Sequence, residues 1–266
     1  MTFFLTTLFV LGLIIGSYLN VIIYRSVFPP KTSKKRSFCP HCSHKLAVLD
    51  LIPLLSYLLL RGKCRYCHEK ISLRYPVTEL TTGVLFCLLG VYYYNQFINE
   101  SAGPFNTYVT LLYSLFVISA LISLFFTDLY WGILPDSIIK FSFIVSLIYT
   151  LYAAVVNGYL IFFEPLLGSA VVGIFFFLLI FFSKGAAMGG GDMKFGFWLG
   201  FMLGWPRIIP ALFIAFLTGS LLSVMLIMLG VKKFGNTIPF GPFLALGTYI
   251  AFLCGKEIID IYLNLL

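Results

Sequence analysis

The chain has 266 residues, 60% of them hydrophobic and 11% charged, with a mean hydropathy of +1.00. A soluble globular domain carries about 25% charged residues, so a water-soluble fold is excluded and the chain reads as an all-α, polytopic membrane protein. Its formal charge of +8 at pH 7 is distributed unevenly, and the spans decide what that means.

Apolar segments of about 20 residues mark membrane helices. Eight occur, near 3–24, 77–94, 107–127, 137–156, 165–182, 193–206, 208–230 and 243–262. The first lacks a basic start and a small-residue cleavage site and runs on into Gly16-Ser17-Tyr18-Leu19-Asn20. It reads as a retained span and not as a cleavable signal. The sixth is the shortest: Phe195 to Trp205 supplies only about 16 Å of helix at 1.5 Å per residue, so it needs flanking residues or a thin bilayer to cross. No internal repeat and no low-complexity tract is evident.

Between the first two spans, residues 25–74 hold 11 of the 18 Lys and Arg against two acids, Asp50 and Glu69, a local charge of +9. With eight spans and an external N-terminus, Lys140, Lys184, Lys194, Lys232 and Lys233 fall on the same side as this loop. Only Arg207 and Lys256 then face the other side. Positive residues stay in the cytoplasm, so the loop is expected there. The same charge also fits a loop that only fixes topology and touches anionic lipid. Nucleic acid is not expected as a partner.

That loop reads Cys39-Pro40-His41-Cys42 and, 21 residues on, Cys64-Arg65-Tyr66-Cys67. Two such knuckles supply four thiolates for a tetrahedral, structural Zn²⁺, and a reducing cytosol disfavours disulfides. A redox pair or unliganded thiols are the alternatives. Neighbouring Lys and Arg would lower the thiol pKa values. His41, His44 and His68, all the histidines of the chain, lie here too and stand outside the ligand set. Cys87 and Cys254 lie in apolar runs and read as buried filler.

Two acids stand beside hydrocarbon, where a carboxylate is costly and hence suspect as functional. Asp128 follows Phe126-Thr127 at the end of the third span, and Asp192 closes Gly189-Gly190-Gly191 just ahead of the sixth. Both fall on the loop's side of the membrane. Two carboxylates at one depth can share a proton, one acting as base on water and the other as acid. A helix C-terminus disfavours a negative Asp128, whereas a helix start suits an ionised Asp192, which also reads as an ordinary N-cap. The expected roles are therefore Asp192 as base and Asp128 as acid, although a coupled pair shares its titration. Gly189, Gly190 and Gly191 would let main chain approach closely and take unusual dihedrals, with a flexible loop as the plainer reading. Asp136, after Pro135, reads as a helix cap more than as a third catalytic acid. Pro239-Phe240-Gly241-Pro242 reads as a break that shapes the mouth near the aspartates, or simply as loop termination.

Taken together these residues resemble the bacterial type IV prepilin peptidases. The resemblance rests on Gly16-Ser17-Tyr18-Leu19-Asn20, the two knuckles, Ile52-Pro53-Leu54-Leu55-Ser56-Tyr57 and Arg61-Gly62-Lys63-Cys64. It continues through Arg74-Tyr75-Pro76-Val77-Thr78-Glu79-Leu80, Asp128 with Leu134-Pro135-Asp136, the Gly-x-Gly-Asp box, and Ile238-Pro239-Phe240-Gly241-Pro242. The family often has Asn-Ile-Pro where this chain has Leu51-Ile52-Pro53, preceded by Asp50.

The resemblance implies a membrane aspartyl endopeptidase, with Asp128 and Asp192 catalytic. It would remove the basic leader of prepilin or pseudopilin precursors on the cytoplasmic face of the inner membrane. It also implies N-methylation of the new terminus with S-adenosylmethionine. The implied organisation is residues 1–76 as first helix and four-cysteine zinc loop, the methyltransferase region, and 77–266 as the peptidase domain. Gly62, Lys63, Glu79, Gly189 and Gly191 are assigned to the substrate and methyl-transfer region, with helix-end solvation an equal reading for Glu79. A peptidase with a purely structural zinc loop is one competing function. An ion-coupled transporter whose acids bind protons or cations is the non-enzyme competitor.

Overall fold

The computed structural model describes residues 1–28, 37–98, 104–185, 188–233 and 238–265. The basic cluster Lys31, Lys34, Lys35 and Arg36 lies outside the described residues. Among the described residues the chain forms nine α-helices and no strand: α1 (Thr2–Val27), α2 (Leu55–Leu59), α3 (Arg74–Ile98), α4 (Pro104–Trp131), α5 (Asp136–Asn157), α6 (Phe163–Ser183), α7 (Gly190–Leu203), α8 (Ile208–Met228) and α9 (Gly241–Asn264). Seven of them, all but α2 and α7, are long and apolar enough to cross a membrane. In lipid the backbone must satisfy itself, which leaves helix as the form open to such segments. Their hydroxyls do likewise: Thr78, Thr82, Ser114 and Ser119 each donate to the carbonyl four residues earlier.

The chain divides into two compact units, Met1–Ser123 and Leu124–Leu266, the division falling within α4. In the first unit α1 packs on α3 through small residues. A Cβ on Gly12 would lie 2.7 Å from the Gly83 Cα, and one on Gly16 would lie 2.7 Å from the Glu79 Cα. Such contact between backbones is how membrane helices gain packing energy without a hydrophobic drive. Asn20 seals the crossing, its Nδ2 donating to the Tyr75 carbonyl at 3.2 Å. The Gly16–Asn20 stretch is thus a helix-packing face.

In the second unit α7 touches α5, α6, α8 and α9. Phe195, Trp198 and Leu199 on it are fully buried, and the Trp198 indole N–H donates to Ser146 Oγ on α5 at 2.9 Å. The α6–α7 crossing is again glycine on glycine: a Cβ on Gly200 would sit 2.5 Å from the Gly168 carbonyl oxygen. The sixth helix expected from hydropathy is therefore present, starting at Gly190 and ending at Leu203. Its 14 residues span about 21 Å. Packed by protein on several sides, it need not match the length that lipid contact imposes. Its far end is tied to the start of α6, where the Trp205 N–H donates to the Glu164 carbonyl at 2.9 Å.

Candidate active site and thiol cluster

Asp128 lies in the last turn of α4 and is only 5% exposed. Its Oδ2 accepts the N–H of Gly241, the first residue of α9, at 2.8 Å. Asp192 sits in the first turn of α7, half-buried and within electrostatic reach of Asp128. The N-cap of α7 is Gly189, so Asp192 is inside the helix and not its cap. Its carboxylate turns back toward the Gly189 N–H and its own. Two coupled carboxylates, one buried and one half-buried, can share a proton in low dielectric.

The glycine box departs from expectation. Gly190 and Gly191 are helical and Gly189 has ordinary extended dihedrals, so no unusual conformation is used. What Gly191 provides is space, since a Cβ there would meet the Leu134 side chain at 3.3 Å. Asp136 is not a cap either: Pro135 holds that position, and the Asp136 carboxylate is bound by Lys194 Nζ at 2.9 and 2.7 Å.

The four loop cysteines converge, their Sγ atoms all within 4.8 Å of one another. The Cys39–Cys67 separation is 3.9 Å, against about 3.8 Å for two corners of a tetrahedron with 2.3 Å zinc–sulfur bonds. The two knuckles repeat each other. Cys39 N–H bonds the His44 carbonyl as Cys64 N–H bonds that of Glu69, and Ser43 and His68 return to the Cys39 and Cys64 carbonyls. Ser43 and His68 both take positive φ, 57° and 60°. The recurring Cys-x-x-Cys-x-x-Lys was the sequence signal of this local repeat.

The cluster could hold a metal ion. The Cys67 thiol is pushed up to about 12: the Glu69 N–H pulls it down, but desolvation and the thiols of Cys64, Cys42 and Cys39 outweigh that. Crowding thus reverses, at Cys67, the lowering expected from nearby Lys and Arg, and a bound cation is what would let four thiolates coexist.

A cavity of about 270 Å³ lies between this loop and the ends of α1 and α3, with Cys39 and Cys64 in its wall. Tyr24, Tyr57, Tyr75, Asp50 and Glu79 also line it. Glu79 is 8% exposed and accepts the Leu54 N–H at 2.9 Å, so it is not solvating a helix end. Asp50, at the family departure, ties the loop together through Arg65 Nε at 2.8 Å, the Tyr66 hydroxyl and the Ala47 N–H, both at 3.1 Å. Gly62 takes φ +69° beneath the Tyr57 hydroxyl, while Lys63 is exposed and pairs across a bridge with Lys70. Neither lines the cavity directly.

Residues 10–93 match the Bacterial Peptidase A24 N-terminal domain, and residues 115–224 match the Type IV leader peptidase family. A prepilin leader peptidase/N-methyltransferase of Bacillus subtilis (strain 168) is 30% identical over 98% of both chains. The proteins of that name from Aeromonas hydrophila and Legionella pneumophila are 33% and 32% identical, covering 98% and 95% of this chain and 94% and 92% of their own. The chain belongs to the type IV leader peptidase family. Membership makes it a peptidase. The leader peptidase match contains both Asp128 and Asp192, and the N-terminal match contains all four loop cysteines and Glu79. No solved structure matches the chain.

Proposed function

We propose that the chain is an aspartyl endopeptidase of the inner membrane that cuts the basic leader from prepilin or pseudopilin precursors. It then N-methylates the new terminus with S-adenosylmethionine. The observation that carries the reading is a buried Asp128, held by the Gly241 N–H and within electrostatic reach of Asp192. One ionised carboxylate takes a proton from water as it attacks the scissile carbonyl. The other, protonated, supports the developing oxyanion and delivers a proton to the leaving amine. The two carboxylates are electrostatically coupled, so the shared proton belongs to the pair and not to one member.

The bias of Lys and Arg toward residues 25–74 supports a cytoplasmic loop and active site with an external N-terminus. The four-cysteine cluster is read as structural Zn²⁺, the sulfurs fitting a closed tetrahedral site. Residues 1–76 form the methyl-transfer region and 77–266 the peptidase, with Glu79 just past that boundary closing the cavity. S-adenosylmethionine, when bound, supplies an electrophilic methyl group. The cavity fits such a molecule in kind: Tyr24, Tyr57 and Tyr75 can stack a purine, and the Glu79 carboxylate suits a cation.

The test is co-expression with a prepilin-like precursor and intact-mass analysis of the product, wild type beside Asp128→Asn and Asp192→Asn. Leader loss in wild type alone supports the pair, and the added mass of one methyl supports the second activity. Normal cleavage by either variant overturns the aspartyl mechanism. Uncut precursor in all three, together with ion-coupled uptake, would support a transporter.

A further inference from the structure

We propose that Asp136 and Lys194 are a positioning pair that sets the separation of Asp128 and Asp192. The inference rests on the aspartyl reading above. Lys194 Nζ reaches both oxygens of Asp136, at 2.9 and 2.7 Å, across 58 residues of sequence. Asp136 is the first residue of α5 and Lys194 stands two residues after Asp192 on α7.

A second contact accompanies it. Leu134, in the short connection from α4 to α5, abuts Gly191, where a Cβ would come within 3.3 Å. Residues 191 and 194 lie one helical turn apart and so share a face of α7. The two contacts therefore bracket Asp192 and pin its turn to the connection that begins just past Asp128. Lys140, one turn along α5, places a further positive charge near Asp136.

Both partners are about half exposed, at 56% and 47%. An exposed ion pair adds little to stability, so its loss should leave the helices folded. A proton-sharing pair, by contrast, is sensitive to displacement: a misplacement of about 1 Å can cost on the order of a hundredfold in rate. The pair therefore acts through geometry, and its signature is a fall in kcat with KM kept.

The experiment measures precursor cleavage by the full chain in lipid nanodiscs for Asp136→Asn, Lys194→Met, Lys194→Arg and the reversed pair Asp136→Lys with Lys194→Glu. Asp128→Asn runs alongside, and thermal unfolding checks each fold. The expected result is a kcat lowered severalfold, by up to about fivefold for an exposed ion pair, by Asp136→Asn and Lys194→Met at unchanged KM. Lys194→Arg and the reversed pair should recover most of it. Wild-type kcat in the single neutral variants overturns the proposal. So does a folded reversed pair no faster than they are. If Asp128→Asn is dead while the pair variants cut normally, the positioning role alone falls. If Asp128→Asn cuts normally, the aspartyl reading falls and takes the pair with it.

Discussion

The Gly241 N–H points at Asp128 Oδ2 from 2.8 Å, so the start of α9 is built onto the end of α4. The carbonyl end of α4 would repel a carboxylate there. The amide end of α9 offsets this with a donor and the positive end of its own dipole. Pro242 has no N–H to offer, which singles out Gly241 as the donor. Glycine is also what fits, because a Cβ at this position would lie 2.6 Å from Oδ2.

Gly241→Ala should therefore push the Asp128 carboxylate or the start of α9 aside. Cleavage of a prepilin-like precursor is expected to fall on the order of tenfold to a hundredfold, with helix content by circular dichroism unchanged. A wild-type rate would mean that this contact does not hold the carboxylate in its working position.

Much of the fold was legible because lipid imposes long apolar runs: the spans near 3–24 and 137–156 appear as Thr2–Val27 and Asp136–Asn157. The thiol cluster was legible from spacing alone, since Cys-x-x-Cys knuckles bring their own geometry. What hydropathy could not show were contacts between distant segments. Gly241 on Asp128, Lys194 on Asp136 and Glu79 on Leu54 join residues 113, 58 and 25 positions apart, with no local pattern to announce them. The triple glycine misled for a related reason. Its Gly191 answers a close neighbour, Leu134, and not a dihedral requirement of its own stretch of chain.

On the zinc reading of the thiol cluster, stripping the ion should separate leader cleavage from N-methylation. Cys64→Ser, or dialysis against a chelator, is expected to lower bound zinc from about one equivalent toward none by elemental analysis. N-methylation should be lost with it while leader cleavage persists, because Cys39 and Cys64 form part of the cavity wall and the aspartates lie elsewhere in the chain. Ligation displaces thiol protons, so zinc affinity should rise with pH. Methylated product from a zinc-free variant would break the link.

Leu54 takes φ +58°, a conformation that costs a branched-chain residue about 1–3 kcal/mol unless its surroundings hold it. The carboxylate of Glu79, accepting its N–H at 2.9 Å, is one such hold. Glu79→Leu should remove it, at about 1–3 kcal/mol of local stability. Hydrogen exchange over residues 48–57 is expected to quicken and methylation to drop, with cleavage near wild type. Unchanged exchange would show that the loop is held by Asp50 and the thiols without Glu79.

The glycines of α7 should fall into a graded series set by the space beside each. Nothing lies within 4 Å of a Cβ added to Gly190, so Gly190→Ala should stabilise the helix by about 0.5–1 kcal/mol. Gly191→Ala meets Leu134 at 3.3 Å, close enough that a small shift of that side chain decides the outcome, and a near-neutral change is expected. Gly200→Ala drives a methyl group to 2.5 Å from the Gly168 carbonyl, backbone that cannot yield without parting α6 from α7. Overpacking of this kind costs about 1–3 kcal/mol, and the carbonyl's rigidity places Gly200→Ala at the upper end. Thermal unfolding of the three variants in one lipid should rank them 190, 191, 200 from most to least stable. A Gly200→Ala protein as stable as wild type would show that the α6–α7 crossing is looser than backbone contact.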